Sequence, residues 1–243
     1  MATVRTADPA DSIFEIIQNG QPIGERPFIT LSYAQSLDGS LAARRGEPLS
    51  LSGLESQKLT HRLRASHSAI LVGIGTILAD DPQLNVRLIA GKNPQPVILD
   101  SRLRTPPQAR IFQSMLPWIA ATHPVEPSRA ATLEARGAKL LVFLGGEDGR
   151  VQLPLLLQRL AGQGIKRVMV EGGTAVITSF LREGLVDLLV LTVAPILVGG
   201  QPAIADLLGE NRGMPGGFPH LVDMKVSRLG DDLIVWGFPQ NPE

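Results

Sequence analysis

SHSAILVGIGTILADDPQLNVRL, Ser66 to Leu88, is the stretch whose reading decides the fold. It opens with "AILVG", a short unbroken apolar run of the kind that forms a strand buried on both faces. Gly73 and Gly75 stand where that strand ends, Thr76 is placed to cap a following short helix, and Asp80, Asp81 and Pro82 stop the helix after about two turns. Free N–H groups at such a helix start, with no β-carbons in front of them, suit a pyrophosphate; the same features also make an ordinary tight turn. A G-x-G-x-x-G dinucleotide fingerprint would need a third glycine where Leu78 stands and a longer crossover helix before the next strand. Any dinucleotide bound here sits on a different kind of α/β sheet.

Working outward, apolar runs of the same kind recur at 28–36 (FITLSYAQS), 96–100 (PVILD), 117–122 (PWIAAT), 139–143 (KLLVF), 167–173 (RVMVEGG) and 188–195 (LLVLTVAP). Helices are predicted from Ser52, near Leu153–Ala161, and from Thr174. Ser52-Gly-Leu-Glu55 reads as a capping box for the first of these, with Leu59 and Leu63 sharing a face and Arg64 in the last turn. Strands alternating with helices predict a mainly parallel sheet covered on both faces. The chain end differs: MKVSRLGDDLIVWGF, 224–238, predicts an antiparallel hairpin turning at Gly230–Asp231. Residues 1–26 read as a loosely attached arm or short helix, dispensable for chemistry, ahead of a single domain over 27–243.

Composition narrows the partners. The 243 residues are 44% hydrophobic, enough for a core, and only 4% aromatic, which argues against a base-stacking platform. Lys plus Arg and Asp plus Glu are both 23, so no net field draws the protein to nucleic acid or an anionic membrane, and the expected partner is a small molecule. The absence of cysteine excludes disulfides and thiolate sites and points to the cytoplasm. The most apolar stretch, 185–200, is interrupted by Asp187, Thr192 and Pro195, so no membrane span is expected.

Several stretches could carry chemistry. In RVMVEGGTAVITSFLREG, 167–184, a strand delivers Glu171, two glycines allow close backbone approach, and Thr174 is placed to cap a helix running to about Glu183. A carboxylate at the C-terminal end of a parallel strand points into the crevice where such sheets bind ligands. Asp100, Ser101, Arg102 and Arg104 end another strand; a hydroxyl beside arginines favours the 2′-phosphate of NADPH, or forms a solvated basic turn. Arg64 and Arg87 could clamp a phosphate through paired N–H donors. Asp80 and Asp81 invite a metal, but His61, His67, His123 and His220 are scattered without ligand spacing, so no metal is expected. No G-x-S-x-G elbow supports a serine hydrolase.

Taken together, 31–39 (LSYAQSLDG), 49–85, 97–101 (VILDS) and 168–181 (VMVEGGTAVITSFL) resemble the pyrimidine reductases of riboflavin biosynthesis over roughly Pro27 to Gly237. The resemblance implies a three-layer dihydrofolate reductase-like α/β fold, a homodimer, and NADPH-dependent reduction of a ribosylaminopyrimidine 5′-phosphate to its ribitylamino product. It places NADPH on Ala34, Thr76, Asp80, Ser101 and the Gly173–Ser179 segment with Thr174, Ala175, Val176 and Ile177. Substrate would meet Arg64, Leu84, Arg87 and Glu171. Glu171 is the first candidate for holding the ribose hydroxyls or relaying a proton, and Asp38 the second, unless Asp38 only ends a strand in a turn. Bifunctional bacterial deaminase/reductases usually carry lysine where Ser32 stands, serine where Pro48 stands and tryptophan where Ser50 stands. With no zinc-deaminase sequence in these residues, the chain looks closer to the stand-alone fungal and archaeal enzymes, which reduce the 2,5-diamino pyrimidinone. The alternatives are reduction of the deaminated uracil, a dihydrofolate reductase, and a non-catalytic nucleotide-binding module. Dihydrofolate reduction fits poorly, because Glu55 sits at the exposed start of its helix, where no acid would reach a pterin pocket.

Overall fold

A computed structural model describes residues 9–207 and 218–241. In chain order the elements are α1 (Pro9–Asn19), β1 (Phe28–Ser36), β2 (Ser40–Ala42), α2 (Leu54–Ser66), β3 (Ala69–Gly73), α3 (Ile74–Asp80), β4 (Gln95–Leu99), β5 (Trp118–His123), α4 (Pro127–Ala135), β6 (Lys139–Leu144), α5 (Leu153–Ala161), β7 (Arg167–Gly172), α6 (Thr174–Arg182), β8 (Leu188–Ala194), β9 (Gln201–Pro202), β10 (His220–Leu229) and β11 (Asp232–Gln240). Among the described residues, nine strands form one sheet in the order β10-β11-β8-β1-β7-β3-β4-β5-β6, and β2 pairs with β9 in a small ribbon. Strands β8 to β6 run parallel, and β11 and β10 add the expected antiparallel end.

The two-residue period of the strands divides the core between the faces. Ile29, Leu31 and Tyr33 of β1 join Ala69 and Leu71 of β3 and Val168 and Val170 of β7 against α5 and α6. Phe180 of α6 is completely buried there, worth roughly 2–3 kcal/mol of apolar burial. The alternate residues, Ile70, Val72 and Ile98, face the other way onto α3 and Leu133 of α4. Farther along that face, Met169, Leu188 and Trp236 pack on α1 and α2. This is the three-layer α/β arrangement expected from the alternation of apolar runs.

Three local expectations change. The N-terminal segment is not loosely attached: it contains α1, whose Ile13 and Ile17 are fully buried in the same cluster as Leu59 and Leu63 of α2. The capping box does not form. Helix α2 begins at Leu54 with Gly53 as N-cap and no side-chain cap of its own, and the buried Asp232 of β11 instead accepts from Gly53 N–H at 2.9 Å. A carboxylate at a helix N-terminus opposes the positive end of the helix dipole, so the C-terminal hairpin holds α2 in place. Helix α4 was not anticipated; the Glu126 side chain accepts from the N–H groups of Ser128 and Arg129, with Pro127 in the first turn.

Asp187, which interrupts the apolar stretch, is a structural anchor. It takes two hydrogen bonds from the Arg26 guanidinium at 2.6 and 2.7 Å and one from Ile29 N–H at 2.7 Å, tying the entry of β1 to the start of β8. Among the described residues no helix is long and apolar enough to cross a membrane.

His67, buried behind α2, gives the fold a pH dependence. Its Nδ1 lies 2.6 Å from the Leu63 carbonyl and its Nε2 2.8 Å from the Thr30 hydroxyl, so the neutral ring donates to the first and accepts from the second. Burial, with the Arg167 charge adding to it against the opposing Leu63 hydrogen bond, pushes the ring down to about 4 from 6.5. A pKa lower in the folded state means the unfolded chain binds the extra proton first. The contribution of His67 to stability is therefore complete above pH 6.5 and is lost as the pH falls from 6.5 through 4, by roughly 3 kcal/mol. Urea unfolding at pH 7 and pH 4 is expected to show this loss, and His67→Gln to remove that share of it.

Candidate active site

The parallel strands deliver their C-terminal ends to one side of the sheet, and a cleft of ≈ 1390 Å³ opens over them. Single small-molecule sites are typically about 300–1,000 Å³, so this cleft has room for two ligands side by side. The two glycine-bearing turns are neighbours, because Val72 of β3 is registered against Gly172 of β7. Gly172 and Gly173 take φ of +107° and +88°, a region that side chains resist. At Gly73 a β-carbon would come within 2.8 Å of Val176 Cγ2, so the glycine lets β3 end directly against α6. Gly75 is different: it is exposed, lines the cleft, and a β-carbon there would meet nothing within 4 Å.

Neither threonine is a cap. Thr76 lies inside α3 and its hydroxyl donates to the Gly172 carbonyl at 3.4 Å, bridging the two turns. Thr174 is the first residue of α6; its hydroxyl donates to the Pro202 carbonyl at 2.7 Å and accepts from Gln201 at 2.8 Å. The N-cap of α6 is Gly173, which has no side chain to offer; Val176 N–H donates to the Gly173 carbonyl, and among the described residues the N–H groups of Thr174 and Ala175 are left for a ligand in the cleft.

A charged pair lies beside these turns. Arg64, in the last turn of α2, donates from Nε and Nη2 to the two oxygens of Glu171 at 2.5 and 2.6 Å, and from Nη1 to the Asn85 carbonyl at 3.0 Å. Both side chains are nearly buried, at 11% and 12% exposure. Burial pulls the Arg64 pKa down, but the charge and hydrogen bonds of Glu171 outweigh it and leave the guanidinium firmly protonated. Arg87 is exposed, and its backbone N–H donates to His61 Nδ1 at 3.1 Å.

Of the residues expected to hold the nucleotide, Ala34, Thr76, Asp80 and Ser101 line the cleft, as do Gly173, Thr174, Ala175, Val176 and Ser179. Burial raises the Asp80 carboxyl above its ordinary range. Ile177 does not line the cleft; it is fully buried on the α6 face of the sheet. Of the substrate candidates, Arg64, Arg87 and Glu171 line the cleft. Leu84 does not: at 2% exposure its side chain belongs to the α3 cluster, leaving only its backbone, at φ +50°, for any contact.

Asp38 lies outside the cleft lining. Its carboxylate accepts from the Ser36 and Ser40 hydroxyls and from the N–H groups of Val198 and Gly199. These bonds, the Ser36 hydroxyl foremost, hold it well below the usual carboxylate range. An acid so committed has no proton to give, and the turn-ending role is the one it fills. The sequence reading overlooked His61 and Tyr33, both of which line the cleft. His61 could have been found from its place three residues before Arg64, one turn away on the same helix face.

Residues 27–235 match the family described as "RibD C-terminal domain". The chain belongs to that family. It is 40% identical over 214 residues to the 2,5-diamino-6-ribosylamino-4(3H)-pyrimidinone 5′-phosphate reductase of Methanothermobacter thermautotrophicus, covering 86% of this chain and 97% of that protein. Among solved structures, the riboflavin biosynthesis reductase of Saccharomyces cerevisiae superposes with a TM-score of 0.72 at 26% identity, over 94% of this chain and 100% of that one. RibD of Acinetobacter baumannii superposes with a TM-score of 0.70 at 30% identity, over 89% of this chain and 59% of its own length. This RibD-family member thus spans nearly the whole of those two reductases and a little over half of that RibD chain.

Proposed function

We propose that this protein reduces the ribosyl group of a ribosylaminopyrimidine 5′-phosphate to a ribityl group with NADPH, the 2,5-diamino pyrimidinone being the preferred substrate. The observation that carries the proposal is the joining, in one cleft, of an uncapped glycine-marked helix start with a carboxylate–arginine pair. Family membership and the similarity to the 2,5-diamino-6-ribosylamino-4(3H)-pyrimidinone 5′-phosphate reductase of Methanothermobacter thermautotrophicus support it.

The cleft suits the nucleotide on features of its own. Gly75 leaves open space and α6 leaves unpaired N–H groups where a pyrophosphate would lie. Beyond them Arg102 and Arg104 line the cleft beside Ser101, with no hydrogen bond or ion pair among the described residues. Two unengaged guanidinium groups next to a hydroxyl favour a 2′-phosphate over a bare ribose. The double variant Arg102→Ala/Arg104→Ala is expected to lower the preference for NADPH over NADH by about 10–100-fold, read as the ratio of kcat/KM values.

When bound, NADPH supplies the hydride that reduces C1′ of the ribose. The chain's own residues must position that carbon and manage one proton. As the sugar ring opens, the C1′–O4′ bond breaks, the exocyclic nitrogen forms a double bond to C1′, and O4′ takes a proton. Glu171, with both oxygens fixed by Arg64, is an acceptor held at the end of β7 beside the α6 start, the position from which it can grip ribose hydroxyls. Arg87, exposed at the cleft edge, is free to meet the phosphate, and a bound phosphate is also an alternative partner for Arg64. Positioning by these groups does most of the work, with no metal required.

Incubation of the protein with NADPH and either the diamino or the deaminated pyrimidine, followed at the nicotinamide absorbance band, tests the proposal. Faster turnover of the diamino compound is expected. Turnover of neither would reject the proposal, and turnover of dihydrofolate instead would favour the rival reductase.

A further inference from the structure

We infer that His61 is a positioning residue for the phosphate end of the cleft: its Nδ1 fixes the main chain of Arg87 and so aims that guanidinium at the substrate. The inference rests on the proposed function, in which Arg87 meets the 5′-phosphate. His61 is only 3% exposed, yet it lines the cleft, and the Arg87 N–H donates to it at 3.1 Å.

The segment that carries Arg87 has no regular secondary structure from Pro82 to Arg87, so its placement depends on individual bonds. Two of them come from one turn of α2: Arg64 donates to the Asn85 carbonyl, and His61 accepts from Arg87 N–H. A third comes from Asn93, which accepts from Val86 N–H at 2.8 Å. Among the described residues the Arg87 side chain itself makes a single hydrogen bond, from Nη1 to Asn85 Oδ1 at 3.2 Å. A long exposed side chain of this kind loses much rotamer freedom on gripping a ligand, and a fixed Cα limits that cost.

The imidazole can play this part only while Nδ1 is unprotonated, because the imidazolium has no acceptor. Burial, reinforced by the charges of Arg64 and Arg87 and opposed by Glu171, pushes its pKa down to about 4, so the acceptor form persists at neutral pH. Helix α2 therefore serves the anion-binding end twice, through the Arg64 side chain and through His61.

Three substitutions separate positioning from simple support. His61→Asn keeps an acceptor near the Nδ1 position, His61→Gln moves the amide toward the Nε2 position, and His61→Leu removes both. With the pyrimidine substrate, His61→Leu and His61→Gln are expected to raise the substrate KM about tenfold while kcat and the NADPH KM stay within about twofold. His61→Asn is expected to return the substrate KM to within about threefold of the parent. An unchanged KM in His61→Leu, equal impairment of His61→Asn and His61→Gln, or parallel losses for substrate and NADPH would overturn the inference. If His61→Leu does not fold, the Asn and Gln pair decides. If the parent protein turns over neither pyrimidine, the functional proposal fails by itself. Calorimetric titration with inorganic phosphate then decides the inference: His61→Gln should bind about tenfold more weakly than the parent and His61→Asn nearly as well, and equal binding by all three overturns it.

Discussion

Replacing Gly75 with leucine is expected to abolish nucleotide binding without harming the fold. The position is exposed, it opens into the cleft, and no atom lies within 4 Å of where its β-carbon would stand. It also lies within α3, where replacing glycine by leucine improves helix propensity by up to about 0.8 kcal/mol. The free protein should melt at the same or a slightly higher temperature. In the cleft, however, the added side chain fills the approach to the α3 and α6 starts, and NADPH affinity should fall by at least about 100-fold, by fluorescence titration. Unchanged affinity would show that the cradle lies elsewhere. Gly173→Val should also weaken NADPH, but less informatively. At φ +88°, with a β-carbon 3.2 Å from Thr76 Oγ1, it strains the free protein as well.

Glu171→Gln separates binding from chemistry. The amide is nearly isosteric and keeps one oxygen for Arg64, while losing the charge and the second acceptor. Arg64 is then left partly unpaired at low exposure, which should cost about 1–3 kcal/mol of stability, so assays belong well below the melting transition. Turnover at saturating substrate should fall by about 100–1,000-fold, while NADPH affinity stays within about twofold, since the α6 cradle is untouched. A variant with parental turnover would contradict this role and leave Glu171 as only the structural partner of Arg64.

What could be read along the chain depended on how far each signal had to reach. Strands β1 and β3 were legible to the residue and the place of helix α5 was legible too, because each is an apolar run with a sharp boundary. Helix α4 was not: it buries only Leu133, too little for an apolar period, and its start is marked only by Glu126 and Pro127. The cap of α2 was misread for a physical reason. Asp232, 179 residues away, supplies the carboxylate that the local Ser52 and Glu55 pattern seemed to promise.

The site shows the same division. Glu171, Arg64 and the glycine turns could be singled out one by one from their residue types and places at element ends. Their pairing across 107 residues could not, because β7 enters the sheet between β1 and β3, far from chain order. A resemblance carries over positions but not the directions of side chains. Leu84 and Ile177 fall at matching positions, yet both point into the core, and Asp38 is committed to the N–H groups of Val198 and Gly199.

If one cleft brings the nicotinamide nucleotide and the ribosyl carbon together, the hydride passes straight from one to the other, and isotope transfer reads that step. With NADPH deuterated at the transferable position of the nicotinamide ring, the ribitylamino product is expected to carry a single deuterium at C1′. Oxidation of the nucleotide with no label at that carbon, or a pyrimidine recovered with its ribose ring intact, would contradict it.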